Sequence, residues 1–237
     1  MGNPLAERRG LKTKSCAMNS EVPGARNLTH FDRLPPPGAD FAIARYDGPM
    51  RLLASSIIVF TLSAQAPTQP AMTLTVPGFP DGGQIPVKFS QAAPGVAVGE
   101  GTSPAMSWAH VPAGTQSFFL HMHDMDVARN KTTDDQAHWV FWNIPATATG
   151  LPEGVPKGSQ LPDGSYQISA TGPMYRGPGA GANGPFHHYV FELYALDTKL
   201  DVKPSGDAFE TRANVMRAIQ GHILAKAVYG GLFRRPQ

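Results

Sequence analysis

Three apolar, aromatic-rich runs constrain this chain most: "SFFLHMHD" at 117–124, "HWVFWNI" at 138–144 and "HYVFELYAL" at 188–196. Each is strand length, and each is bounded by breakers such as "TGLPEGVPKGSQLPDGS" and "YRGPGAGANGPF". Runs this short cannot become long helices, because the flanking Gly and Pro end them. The 25 Gly and 23 Pro of the 237 residues extend the same punctuation along the chain. "MTLTV" at 72–76 alternates like a further strand. Short strands joined by long turns predict a mainly β fold, a sandwich of antiparallel sheets. One segment differs. In 207–231, Val215, Ile219, Ile223 and Ala227 recur every four residues, with Met216 and Leu224 beside them. That period predicts a C-terminal amphipathic helix, N-capped by Asp207 with Glu210 three residues on, and stopped by Gly230-Gly231.

Residues 50–66, "MRLLASSIIVFTLSAQA", are laid out as a secretory signal peptide. A short positive start precedes 13 residues that are apolar or small and hydroxylated, and Ala64-Gln65-Ala66 is a cleavage pattern. The run is shorter than the roughly 20 residues that span a bilayer. The expectation is therefore an extension at 1–49, a leader at 50–66 with translation starting at Met50, and a single domain at 67–237. The protein would be periplasmic or secreted, with no transmembrane segment in the mature chain. The single cysteine, Cys16, would be lost with the extension. Residues 1–66 hold 8 Lys/Arg against 5 Asp/Glu, and 67–237 hold 12 against 13. The presumed mature part is thus near neutral and has no basic stripe for nucleic acid.

Four chemistries compete for the polar residues. His121 and His123, two apart on a strand, share a face and invite a metal. However, Asp124 follows directly and position 126 is Asp, so H-x-H-x-D-H is not met and no metal ligand is assigned. "GAGANG" at 179–184 counts as G-x-G-x-x-G, but a proline and a strand follow where dinucleotide binding needs a helix. No serine sits in G-x-S-x-G or S-x-x-K. The fourth reading is a polar pocket. Asp124 and Asp126 end one strand, His138 opens a second, and His187 and Tyr189 begin a third. If those ends meet, imidazoles, a phenol and loop N–H groups can hold an anion. A carboxylate beside it must share a proton, pair with an imidazole or cap a turn.

The order of motifs resembles the phosphatidylethanolamine-binding protein family, in its bacterial YbhB/YbcL, Raf kinase inhibitor-like branch. "SPAMSW" at 103–108, "SFFLHMHDMD" at 117–126, "HWVFWNIPA" at 138–146, "YRGPGAGANGPFHHYVFELYALD" at 175–197 and "AIQGHILAKAVYGGLFRR" at 218–235 carry it. The resemblance implies a β-sandwich with a pocket for a small anion or phospholipid head group, and no cofactor. The implied ligand-binding residues are Asp124, His138, Gly177, Gly179, His187 and Tyr189, with Asp126 supporting the loop. It further implies a non-enzymatic binding protein. The alternatives are an inhibitor of a kinase or protease acting through loops such as 150–165, and a hydrolase using Asp124, His138 and His187. Met125 stands where the family has the first proline of D-P-D-A-P, Val127-Ala128 stands for Ala-Pro, Ala180-Gly181 replaces paired prolines, and His188 replaces an arginine. The missing prolines predict a looser pocket mouth.

Overall fold

The computed structural model describes residues 70–237. The expectations for 1–49 and for the leader at 50–66 lie outside the described residues. In chain order the elements are β1 (Thr73–Thr75), β2 (Gly83–Gln84), β3 (Met106–Ala109), β4 (Ser117–Asp124), β5 (Gln136–Pro145), β6 (Gly150–Leu151), β7 (Tyr166–Ile168), β8 (His187–Leu196), α1 (Ala208–Ala218) and β9 (Ile223–Phe233). A six-stranded sheet runs β2-β9-β8-β4-β5-β7, and a three-stranded sheet runs β1-β3-β6. Among the described residues the fold is mainly β, with two sheets and one α-helix near the C-terminus, as expected.

The three apolar runs become the central strands β4, β5 and β8, and β4 is buried along its whole length because both its faces are covered. Phe118, Leu120 and Met122 meet Leu74, Met106 and Trp108 of the small sheet in the sandwich core. Phe119 points the other way and packs with Val140, Trp142 and Leu196 against Val215 and Ile219 of α1. The tryptophans bury their rings and still satisfy their N–H groups: Trp108 donates to Ala148 O, Trp139 to Gln167 Oε1 and Trp142 to Val202 O.

The helix is shorter than its four-residue stripe predicts. Asp207 is the N-cap and accepts the N–H groups of Phe209 and Glu210 at 2.7 and 3.3 Å. The reciprocal arm of a capping box is absent, since the Asp207 N–H donates to Ser205 Oγ instead. The helix ends at Ala218, and Gly221 takes φ +82°, a left-handed value that turns the chain out of the helix. Ile223–Phe233 is then a strand, pairing antiparallel with β8 from Leu196↔Ile223 to His187↔Phe233. Gly230 and Gly231 therefore lie inside a strand and stop nothing. Two periods coexist in this segment: Ala227, Tyr229, Gly231 and Phe233 alternate to the buried face, whereas Ile223, Leu224 and Val228 are exposed. The open edge of β8 selects the two-residue period.

Candidate functional site

Antiparallel pairing brings the polar strand ends together. Asp124, last in β4, lies opposite Tyr189 near the start of β8 and opposite Gln136 at the start of β5. Asp124, His138, Gly179, His187 and Tyr189 consequently share one cavity of about 460 Å³. Asp124 plays two of the roles open to a carboxylate there. Its Oδ2 accepts from His187 Nδ1 at 2.8 Å, and its Oδ1 caps the following turn through Asp126 N–H at 3.0 Å.

His138 is buried, and its Nδ1 lies 2.9 Å from the carbonyl of Arg176. A carbonyl only accepts, so Nδ1 carries the proton. Burial pushes this imidazole down to about 4 from its ordinary 6.5, which keeps it neutral near pH 7 and leaves Nε2 as an acceptor. Tyr189 complements it. Its hydroxyl oxygen accepts the N–H groups of Gly179 and Ala180 at 3.1 and 3.2 Å, so both lone pairs are engaged and the O–H can only donate. Burial, then the Asp124 charge, raises the phenol above its ordinary range and holds that proton in place.

Two expectations need correction. Gly177 is not among the cavity residues: its N–H donates to Glu100 O at 3.2 Å and its carbonyl accepts from Gln91. A Cβ there would meet Phe89 O at 2.7 Å, so this glycine permits close packing behind the loop. The mouth is also tied more closely than the missing prolines predict. Met125 N–H donates to His188 O at 3.0 Å, and Ala180 N–H reaches Tyr189, bonds that a proline at either position would forfeit. Asp126 lies outside the cavity and accepts from His188 through both backbone N–H and Nδ1, at 2.6 and 3.0 Å. The backbone N–H of His188, first among these contacts, holds Asp126 below the usual carboxylate range. His188 thus occupies the family's arginine position and pairs with Asp126.

Sequence reading overlooked Arg176 and Arg235, which also line the cavity. Arg176 sits inside the quoted "YRGPG" but at a variable position of the motif. Arg235 arrives only because β9 is a strand, and its N–H bonds Ala180 O at 3.0 Å. Two guanidiniums against one carboxylate make the cavity favourable to an anion.

Residues 75–234 match the family described as phosphatidylethanolamine-binding protein. A UPF0098 protein of Methanothermobacter thermautotrophicus is 39% identical over 166 residues, spanning 69% of this chain and 99% of the relative. The UPF0098 protein YbcL of Escherichia coli is 36% identical over 155 residues, 62% of this chain and 80% of its own. The crystal structure of E. coli YbcL, described as a new member of the mammalian PEBP family, superposes with a TM-score of 0.58 at 27% identity, covering 70% and 99% of the two chains. A PEBP homologue from Chlamydia trachomatis gives a TM-score of 0.56 at 28% identity, covering 70% and 98%.

Proposed function

The chain belongs to the phosphatidylethanolamine-binding protein family, in the bacterial and archaeal branch that includes YbhB and YbcL, and from that premise we propose that it is an exported, non-enzymatic binding protein for a small phosphate-bearing anion. The observation that carries this reading is the convergence of Arg176 and Arg235 with the donor hydroxyl of Tyr189 and the acceptor Nε2 of His138 on one cavity. The guanidiniums supply charge and the tyrosine a directed donor, while a protonated phosphoryl oxygen satisfies the histidine. Asp124, tied to His187 and to its own turn, orders the rim. Among the described residues the cavity lining holds no serine, threonine or cysteine, the one phenol is kept protonated, and both Asp124 oxygens are engaged by His187 and the Asp126 N–H, which favours binding over hydrolysis.

Phosphate and phosphoethanolamine titrated into the full chain test the reading. One site per chain is expected, weakened at least about ten-fold in Arg176→Ala and in His138→Ala, since a charge-assisted contact is worth on the order of 1.5–3 kcal/mol. Unchanged affinity in both His138→Ala and Tyr189→Phe would refute the pocket. Ester turnover that disappears in His138→Ala would instead establish a hydrolase. The export part of the reading rests on the leader pattern at 50–66, and a native N-terminus upstream of Met50 would overturn it. Among the described residues no helix is long and apolar enough to cross a membrane.

A further inference from the structure

The histidine pair excluded from the anion cavity lies on the opposite face of the same sheet. His121 and His123 project from β4 toward α1, and their rings stack at 4.4 Å between centroids. They line a separate cavity of about 360 Å³, with Glu192 beside them, Thr133 to Asp135 at one side and Phe209 and Arg212 of α1 above. Both are more than nine-tenths buried, with 4% and 8% exposure. Yet His121 Nδ1, His121 Nε2 and His123 Nε2 have no hydrogen-bond partner among the described residues. A buried imidazole with both nitrogens unpaired is an uncompensated desolvation that native cores avoid.

We propose that this cavity binds a divalent transition-metal ion of the zinc type, with His121, His123 and Glu192 as ligands and Asp135 as the orienting partner of His123. Distances support it. Glu192 lies directly opposite His121 in the β4–β8 register, and its Oε2 is 3.7 Å from His121 Nδ1 and 3.6 Å from His123 Nε2. Ligands about 2.1 Å from a tetrahedral ion sit about 3.4 Å from one another, so the two histidine–carboxylate separations need to shorten by only a few tenths of an ångström, while the stacked imidazoles must swing their nitrogens toward each other. Ring rotation out of the stack turns both nitrogen lone pairs onto the ion. The supporting contacts are those of a prepared site. Asp135 Oδ2 accepts from His123 Nδ1, which leaves Nε2 unprotonated and facing the cavity. Asp135 is itself held by Arg212 at 2.5 Å. Lys226 on Oε1 and Tyr194 on Oε2 fix the Glu192 carboxylate. Two nitrogens and one oxygen select zinc, cobalt or nickel over calcium or magnesium, which prefer all-oxygen sites.

The grouping was invisible in the motif because Glu192 and Asp135 come from β8 and from the loop before β5. The site is independent of the anion reading. Zn²⁺ titrated into the untagged full chain by calorimetry, with Co²⁺ ligand-field absorption as a second readout, tests it. One tightly bound Zn²⁺ per chain is expected, with tetrahedral Co²⁺ bands. His121→Phe, which keeps the stack on Phe119, and His123→Gln each abolish both signals and leave phosphate binding in the other cavity unchanged. Asp135→Asn weakens Zn²⁺ by about 10- to 100-fold. The proposal is overturned by no saturable Zn²⁺ binding, by Ca²⁺ binding as tightly as Zn²⁺, or by wild-type Zn²⁺ affinity in both histidine variants. A Zn²⁺ signal lost in Asp124→Asn but kept in His121→Phe also overturns it, because Asp124, Asp126 and His187 form a second grouping of close donors among the described residues, beside that of His121, His123 and Asp135.

Discussion

The backbone N–H of Met125 donates to the carbonyl of His188 at 3.0 Å, at a position where the family motif has proline. This bond extends the β4–β8 ladder one residue past Asp124 and fixes the rim on which Asp126 meets His188. Met125→Pro should therefore destabilise the protein by about 1–3 kcal/mol, through a lost donor and an unpaired carbonyl, despite matching the family. The denaturation midpoint of the variant measures this, and an unchanged or raised midpoint contradicts the bond's role.

Tyr189 carries two loop N–H groups on one oxygen. Tyr189→Phe leaves the donors of Gly179 and Ala180 unpaired at a site that is largely buried. The expected loss is about 1–3 kcal/mol of stability, together with weaker anion binding. Chemical denaturation and phosphate titration on the same sample separate the two effects. Stability at the wild-type level would mean that water replaces the hydroxyl.

Two of the loop glycines should respond differently to alanine. At Gly177 a Cβ meets Phe89 O at 2.7 Å and the Ser90 backbone at 2.8–2.9 Å, so Gly177→Ala should cost about 1–3 kcal/mol by overpacking. At Gly181 nothing among the described residues lies within 4 Å of the added methyl, and Gly181→Ala should be neutral. Thermal unfolding of the pair checks both, and similar midpoints would remove the packing role of Gly177.

Anion affinity should rise as pH falls from 8 toward 5. Free His138 is neutral down to about 4 and offers Nε2 as an acceptor, so a ligand must bring a proton or His138 must take one up. Phosphate monoesters gain that proton near pH 6. Calorimetry in buffers of different ionisation enthalpy should show proton uptake on binding, and His138→Ala should abolish it. Pure dianion binding, with no proton linkage, contradicts this assignment of tautomer and acceptor.

What was legible in the sequence follows from how local each signal is. β4, β5 and β8 are self-contained runs, and the ends of those runs held Asp124, His138, His187 and Tyr189. Pairing was not legible. Ile223 to Phe233 fits a helical stripe and a strand alternation at once, and only the vacant edge of β8 decides between them. That choice also delivers Arg235 to the cavity. The unpartnered His121 likewise becomes meaningful only once register sets Glu192 opposite it.

Buried neutral histidines give the fold an acid limit with a defined sign. Burial depresses both His121 and His138 from 6.5 to about 4. His121 is packed among Glu192, His123, Asp135 and Arg212, and His138 beside Arg176 and Asp124. Between pH 6.5 and 4 the unfolded chain binds protons that the folded chain refuses, so stability falls as pH drops through that window and levels off below it. Each histidine contributes on the order of 3 kcal/mol to the decline, at 1.36 kcal/mol per pKa unit. Glu192 acts in a lower window. Burial raises it, but the neighbouring His121 imidazole and the hydrogen bonds from Lys226 and Tyr194 outweigh burial and hold it at about 2, so its contribution is lost only between its ordinary 4.5 and 2. Urea unfolding in metal-free buffer at pH 7, 5.5 and 4.5 should show the first decline, and His121→Phe should remove about half of it. A wild-type slope of zero over that range would mean that these imidazoles are charged in the folded protein.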